Sequence, residues 1–156
     1  MKYYLDTNIL IFWLFNKDLT KNLHLTTRRL LQDGNNEFTI SSIAFRELID
    51  LYKSKYYQPI IKTGKQSAKK KLSDIHQYKN VTEVYKAIEE MGITITPFSE
   101  KHVKTYETLS FTNENKDWND KFIVSQAIAD KITLISSDSD FEEYETQGLK
   151  LFFNKR

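Results

Sequence analysis

The chain has 156 residues, 40% of them hydrophobic and 28% charged, and a net charge of +2. That suits one soluble domain with enough length to close a core, and so mild a basic bias permits a nucleic-acid partner without arguing for one. The absence of cysteine excludes disulfides, thiolate metal sites and a cysteine nucleophile, and it suits a reducing compartment.

In chain order, Lys2 to Leu5 reads as a first strand and Thr7 to Phe15 as a first helix, with Ile9, Leu10, Trp13 and Leu14 spaced to bury one face. Asp6 stands at the joint, and Thr7 and Asn8 favour the helix start because their side-chain oxygens can accept from free N–H groups. Asn16 to Asn22 is polar and reads as a loop. Leu23 to Gln32 is a second helix, ended by the turn residues Asp33-Gly34-Asn35-Asn36. Glu37 to Ile40 alternates as a second strand. Ser41 and Ser42 then cap a third helix from Ile43 to about Lys55, with Glu47 a turn inside it.

Tyr56 to Lys79 shows no clear period and is punctuated by Pro59 and Gly64, as expected of a helical hairpin or clamp. It carries the basic run Lys62, Lys65, Lys69, Lys70 and Lys71, which reads first as a solvated helix face or mobile loop and second as an electrostatic guide for a phosphate backbone. Val81 to Met91 is a helix closed by Gly92, and Ile93 to Thr96 is a third strand stopped by Pro97. Ser99 caps a helix to about Leu109, and Phe111 to Lys116 is a polar loop. Asp117 to Asp130 is a helix with Phe122, Ile123, Ala127 and Ile128 on its apolar side. Ile132 to Ile135 is a fourth strand, Asp140 to Tyr144 a short helix, and Leu149 to Phe153 a fifth strand.

Strands alternate with helices throughout, which predicts an α/β fold with a largely parallel sheet covered on both faces. No repeat or long linker divides the chain, so residues 1–156 are expected to form a single domain. The first residues lack the basic start and apolar core of a signal peptide, and Ile9 to Phe15 is too short to span a bilayer. A cytoplasmic protein with no membrane association is the expectation. The three histidines, His24, His76 and His102, lie far apart and show no zinc-ligand spacing.

Four carboxylates sit at matching topological places. Asp6 follows strand one, and Asp138 follows strand four. Glu47 lies in the helix after strand two, and Asp120 lies in the first turn of the helix before strand four. Ligands of open α/β sheets bind outside the carboxyl ends of the strands. Each acid has a plain structural role open to it. Asp6 can cap a helix, and Glu47 can lie on a helix surface. Asp117 and Asp120 can favour a helix N-terminus, and Asp138 and Asp140 can cap the short helix after them. The conjunction of four favours convergence. Converging carboxylates in a partly dry cleft must be neutralised by protons or cations, and an oxygen-only donor set suits Mg²⁺ or Mn²⁺. Such a site activates water for phosphate chemistry without a Ser-His or Cys-His pair.

These residues resemble the PIN-domain family, and in particular the VapC-type toxins of bacterial toxin–antitoxin pairs. Tyr4-Leu5-Asp6-Thr7-Asn8-Ile9-Leu10 is similar to the family's LDTNxL motif. Ser41-Ser42-Ile43-Ala44-Phe45-Arg46-Glu47-Leu48 is similar to the motif whose Glu is a metal ligand. Asp117-Trp118-Asn119-Asp120-Lys121-Phe122-Ile123-Val124-Ser125-Gln126-Ala127 is similar to DPFDRxLxAQA, and Leu134-Ile135-Ser136-Ser137-Asp138-Ser139-Asp140-Phe141 to LxTxDxxF. The four motifs stand in family order over nearly the whole chain. Trp118-Asn119 replaces the usual Pro-Phe. Lys121 replaces the common Arg, keeping the charge while losing the bidentate fork. Ser136 keeps the hydroxyl of the usual Thr.

The resemblance implies a three-layer α/β/α fold around a mainly parallel five-stranded sheet. It implies a Mg²⁺- or Mn²⁺-dependent endoribonuclease that cuts RNA with a metal-activated water. Asp6, Glu47, Asp120 and Asp138 would be the catalytic metal ligands, with Asp117 auxiliary, Asn8 and Ser136 supporting, and Lys121 at the substrate. A cognate antitoxin and homodimer formation follow from the same likeness, which also matches the Tyr56 to Lys79 stretch to the family's helical clamp. The alternative function on this scaffold is a non-catalytic RNA- or protein-binding module. A doubly wound phosphotransfer domain would want a second Asp where Asn8 stands.

Overall fold

The computed structural model describes residues 1–16, 18–54, 78–112 and 117–155. Most of the stretch from Tyr56 to Lys79, with the lysine run and the expected clamp, lies outside the described residues, as does the second half of the polar loop before Asp117.

Five strands form one parallel sheet in the order β3-β2-β1-β4-β5. They are β1 (Lys2–Leu5), β2 (Glu37–Ser41), β3 (Ile93–Thr96), β4 (Thr133–Ser136) and β5 (Leu151–Phe153). The helices are α1 (Thr7–Phe15), α2 (Leu25–Gln32), α3 (Ser42–Ser54), α4 (Val81–Glu90), α5 (Glu100–Thr108) and α6 (Trp118–Asp130). Two 3₁₀ segments, Leu19–Lys21 and Ser139–Gln147, join them. This is the expected α/β/α arrangement with an all-parallel sheet. Among the described residues no helix is long and apolar enough to cross a membrane.

Strand alternation divides the core. Tyr3, Leu5, Phe38, Ile40 and Ile135 face α1, α2 and α4, whereas Tyr4 and Leu134 face α6 and the second 3₁₀ segment. Helix α3 serves both sides, with Phe45 and Leu48 in the first cluster and Ala44 in the second.

Helix α1 departs from the one-sided pattern expected of it. Ile9, Leu10, Ile11, Phe12, Leu14 and Phe15 are all buried, and Trp13 is half-buried with its ring edge-on to Phe38. A helix that is apolar all round is an interior helix. α1 follows the central strand directly and packs beneath α3, so little of its circumference meets water.

Smaller differences have local causes. β5 begins at Leu151 rather than Leu149, because Gly148 turns the chain at φ 104° and Leu149 N–H caps the 3₁₀ segment on Tyr144 O. α2 begins two residues late, because the His24 ring accepts from Thr26 N–H as its N-cap. Gly92 takes φ 70° after α4, the left-handed position that glycine fills without penalty.

Behind β1 lies a buried polar cluster. Asp130, at the end of α6, accepts from Tyr4 Oη at 2.5 Å and from His102 Nε2 at 3.1 Å, and also pairs with Lys101. His102 Nδ1 accepts the Ser99 N–H at 2.9 Å in a capping box, which leaves Nε2 as the donor to Asp130. Burial alone would raise the Asp130 pKa. The bonds from Lys101, Tyr4 and His102 outweigh it and hold the carboxyl below its ordinary value.

Candidate functional site

The strand order reverses between β1 and β4, so the crevice at their carboxyl ends is the topological switch point. Asp6 leaves β1 at this crevice and Asp138 follows β4 beside it. α3 starts from the carboxyl end of β2, on the other side of β1.

Asp6 is 3% exposed. Its backbone N–H donates to Ile135 O at 3.0 Å and its carbonyl accepts from Leu10 N–H at 3.1 Å, so the strand ladder and the first helical turn both hold it. Oδ1 accepts from Thr7 N–H at 2.7 Å and Oδ2 from Ser136 Oγ at 2.9 Å. The cap role and the site role therefore coincide in one side chain. Burial pushes the Asp6 carboxyl up to about 7. The Ser136 and Thr7 bonds oppose that rise, and the charges of Glu47 and Asp138 add to it.

Glu47 is half-buried on α3, and its Oε2 accepts from Thr7 Oγ1 at 2.6 Å. Its pKa is also raised, first by burial and then by the charge of Asp117, while the Thr7 bond, Arg46 and Asn119 lower it. Asp117 is the N-cap of α6, accepting from Asn119 N–H at 2.7 Å. Asp120 lies in the first turn of that helix, which packs against α3. Arg46 Nη2 donates to Asn119 Oδ1 at 3.1 Å across this seam.

Asp138 is half-buried, and its Oδ1 accepts from Asp140 N–H at 3.0 Å. Ser136 links the two strand-end acids, since its Oγ donates to Asp6 and accepts from Asp138 N–H at 3.0 Å. Asn8 is half-buried in the first turn of α1. Lys121 is 7% exposed, with its ammonium 4.1 Å from the centre of the Tyr106 ring and 4.7 Å from that of Phe111. Its charge is directed into aromatic faces, which leaves little of it for a substrate phosphate.

The charges of Glu47 and Asp138 thus both act on Asp6, and that of Asp117 acts on Glu47. The charges of Asp120 and Asp117 act together on Tyr144, a fully buried phenol pushed up to about 12 chiefly by its burial. Among the described residues no three carboxylate or histidine side chains stand as a ready-made metal cage. The donor chemistry nevertheless fits a hard cation. All the donors are carboxylate oxygens, and the central one is hydrogen-bonded on both oxygens while its burial opposes its charge.

Two residues that steady the acids were not singled out for that role from sequence. Thr7, read only as a helix-start residue, joins Asp6 to Glu47. Asn154 is fully buried; it accepts from His24 N–H and donates to Asn22 O and Ser137 Oγ, at 2.8 to 2.9 Å. Its backbone N–H reaches Ser136 O at 2.7 Å, so it steadies the turn that presents Asp138.

The fold is similar to that of DNA-bound VapBC from Salmonella typhimurium, with a TM-score of 0.64 at 17% identity over 99% of each chain. VapBC-1 from nontypeable Haemophilus influenzae matches over 100% of each chain, with a TM-score of 0.61 at 21% identity. VapBC2 from Rickettsia felis, bound to a DNA fragment from its promoter, gives 0.58 at 22% over 98% of each chain. No curated protein matches the sequence. The model of the PIN domain matches residues 3–146, a span that holds every strand but the last and all of the acids described above, and the chain belongs to the PIN domain family.

Proposed function

We propose that this chain is a VapC-type toxin, a Mg²⁺- or Mn²⁺-dependent endoribonuclease, folded as a single domain over residues 1–156. The observation that carries the reading is the Asp6 carboxylate, buried at the switch point, hydrogen-bonded on both oxygens, and joined through Thr7 to Glu47 and through Ser136 to the turn of Asp138. Asp6, Glu47, Asp120 and Asp138 would hold the cation, with Asp117 as auxiliary. When bound, such an ion supplies the activation of water and the charge neutralisation that phosphodiester hydrolysis needs. Thr7 and Ser136 fix the Asp6 oxygens before any ligand arrives, and Asn154 does the same for the turn bearing Asp138. Arg46 lies at the α3–α6 seam, where a cation offsets the acids for an approaching phosphate.

The similar solved folds are VapBC proteins, which supports a cognate antitoxin as partner. A homodimer and a cytoplasmic location belong to the same reading. The rival reading on this scaffold is a non-catalytic RNA- or protein-binding module. A single experiment separates the two: purified chain is incubated with total cellular RNA in EDTA, Mg²⁺ or Mn²⁺, and its melting is followed in parallel. The nuclease reading expects metal-dependent cleavage that Asp6→Asn abolishes, together with metal-dependent stabilisation. RNA left intact under all three conditions overturns it.

A further inference from the structure

Helix α6 opens with an aromatic side chain where burial would be expected and exposure is found. Trp118 is 61% exposed and sits between Asp117 and Asn119. It is the outermost rung of a ladder of rings. Phe98 meets Phe122 edge-on at 5.1 Å, and Phe122 stacks on Tyr106 at 4.5 Å and 17°. Tyr106 lies nearly parallel to Trp118 at 6.5 Å and 25°, and Phe111 abuts the indole edge-on at 4.8 Å. Lys121 holds the Tyr106 and Phe111 rings together from within. The indole is therefore ordered before any ligand binds, and most of its surface faces solvent.

Its surroundings are charged. Asp117 precedes it and Asp120 lies two residues on, and the exposed Arg46 guanidinium, which pairs with Asp50 at 3.2 Å through Nη1, donates through Nη2 to the side chain of Asn119, the next residue. A packing role would favour an aliphatic side chain turned inward. A protein partner's apolar side chain would be poorly matched to a rim of carboxylates and guanidinium. An unpaired nucleobase fits both features, because it offers a π-face to the ring while its phosphates meet the arginine.

We propose that Trp118 is a base-stacking subsite for single-stranded RNA, which seats one nucleotide beside the acid cluster while Arg46 receives an adjoining phosphate. The proposal rests on the nuclease reading for its substrate class, and its test separates the two. Duplex RNA has no unstacked base to offer, so the subsite selects unpaired RNA.

The test measures binding of fluorescently labelled oligoadenylate and oligouridylate decamers, and of an RNA duplex of the same length, to the full chain in EDTA. Trp118→Ala is expected to weaken decamer binding roughly 5- to 100-fold, the range for loss of one base–aromatic stack. Trp118→Phe should stay within about threefold of wild type, and duplex binding should be unchanged by either variant. In Mn²⁺, Trp118→Ala should raise KM for cleavage more than it lowers kcat. Unaltered decamer binding by Trp118→Ala overturns the proposal, as does wild-type chain that binds no decamer, or duplex binding that falls in parallel. A Trp118→Ala chain that binds RNA normally but loses its co-expressed protein partner assigns the ring to that partner and overturns it likewise. Trp118-dependent binding without cleavage in any metal leaves the subsite standing and removes the nuclease reading.

Discussion

The hydroxyl of Thr7 donates to Glu47 Oε2 at 2.6 Å, so the residue that opens α1 positions an acid on α3. The same residue's N–H serves Asp6. Thr7→Val keeps the shape and removes only the hydroxyl. A hydrogen bond to a charged group contributes about 1.5–3 kcal/mol, so RNA cleavage should slow roughly 10- to 100-fold, while Thr7→Ser stays near wild type. Equal rates for Thr7→Val and wild type would show that Glu47 needs no such anchor.

Asp6 makes the metal-free protein lose stability as pH rises from acid to neutral. Its folded carboxyl titrates at about 7 against 3.8 for the ordinary group. Between those values the unfolded chain has already released a proton that the folded chain retains, so stability falls as pH rises through this window. The full effect is up to about 4 kcal/mol. In EDTA, urea midpoints should drop from pH 5 to pH 8 in wild type. Asp6→Asn should flatten that dependence and be the more stable protein at pH 8, although inactive. A wild-type midpoint that does not fall over this range refutes the account.

Ser136 is fully buried between two acids. Ser136→Ala removes the donor that lowers the Asp6 pKa and the acceptor for Asp138 N–H. The expected loss is about 1–3 kcal/mol in metal-free stability, with a further upward move of the Asp6 titration. Carbon-detected NMR of the Asp6 carboxyl would read the second effect directly, and a downward move would contradict it.

The Asp130 cluster should matter for folding alone. It lies about 15 Å along α6 from Asp120. Asp130→Ala leaves Tyr4 Oη and His102 Nε2 buried without their acceptor, at a cost of about 2–5 kcal/mol. Because the folded Asp130 pKa is depressed, its contribution is present at neutral pH and is lost as pH falls through that depressed value. Acid-melting curves should lose this component in the variant, with cleavage unchanged well below its melting point. A slower reaction at that temperature would connect the cluster to the site.

Lys131 caps α6 at φ 58°, a left-handed conformation that suits glycine or asparagine better. Lys131→Gly should raise stability by about 0.5–1 kcal/mol, seen as a higher urea midpoint. A lower midpoint would mean that the lysine side chain makes a compensating contact.

Much of this architecture was readable because strand and helix periods are clean here. The runs at Lys2–Leu5 and Ile93–Thr96 have the residue bounds expected of them, since each is closed by a residue that cannot continue it, Asp6 and Pro97. The layers of α1 were not readable, because an interior helix and a half-buried one share the same apolar spacing in part of their length. The positions of the acids followed from topology, but the groups that orient them did not. Asn154 is distant in sequence from the groups its side chain bonds. The family likeness put Lys121 at the substrate, and nothing in the sequence showed that its side chain lies buried against the Tyr106 and Phe111 rings.

The Asp6 backbone is held from behind by Ile135 and from ahead by Leu10, and its carboxylate by Thr7 N–H and Ser136 Oγ, so the acid keeps its place while the central strand pair stays together. On the proposed nuclease reading, restraint of the site would come from without, by blocking the hollow or depriving it of its counter-ion.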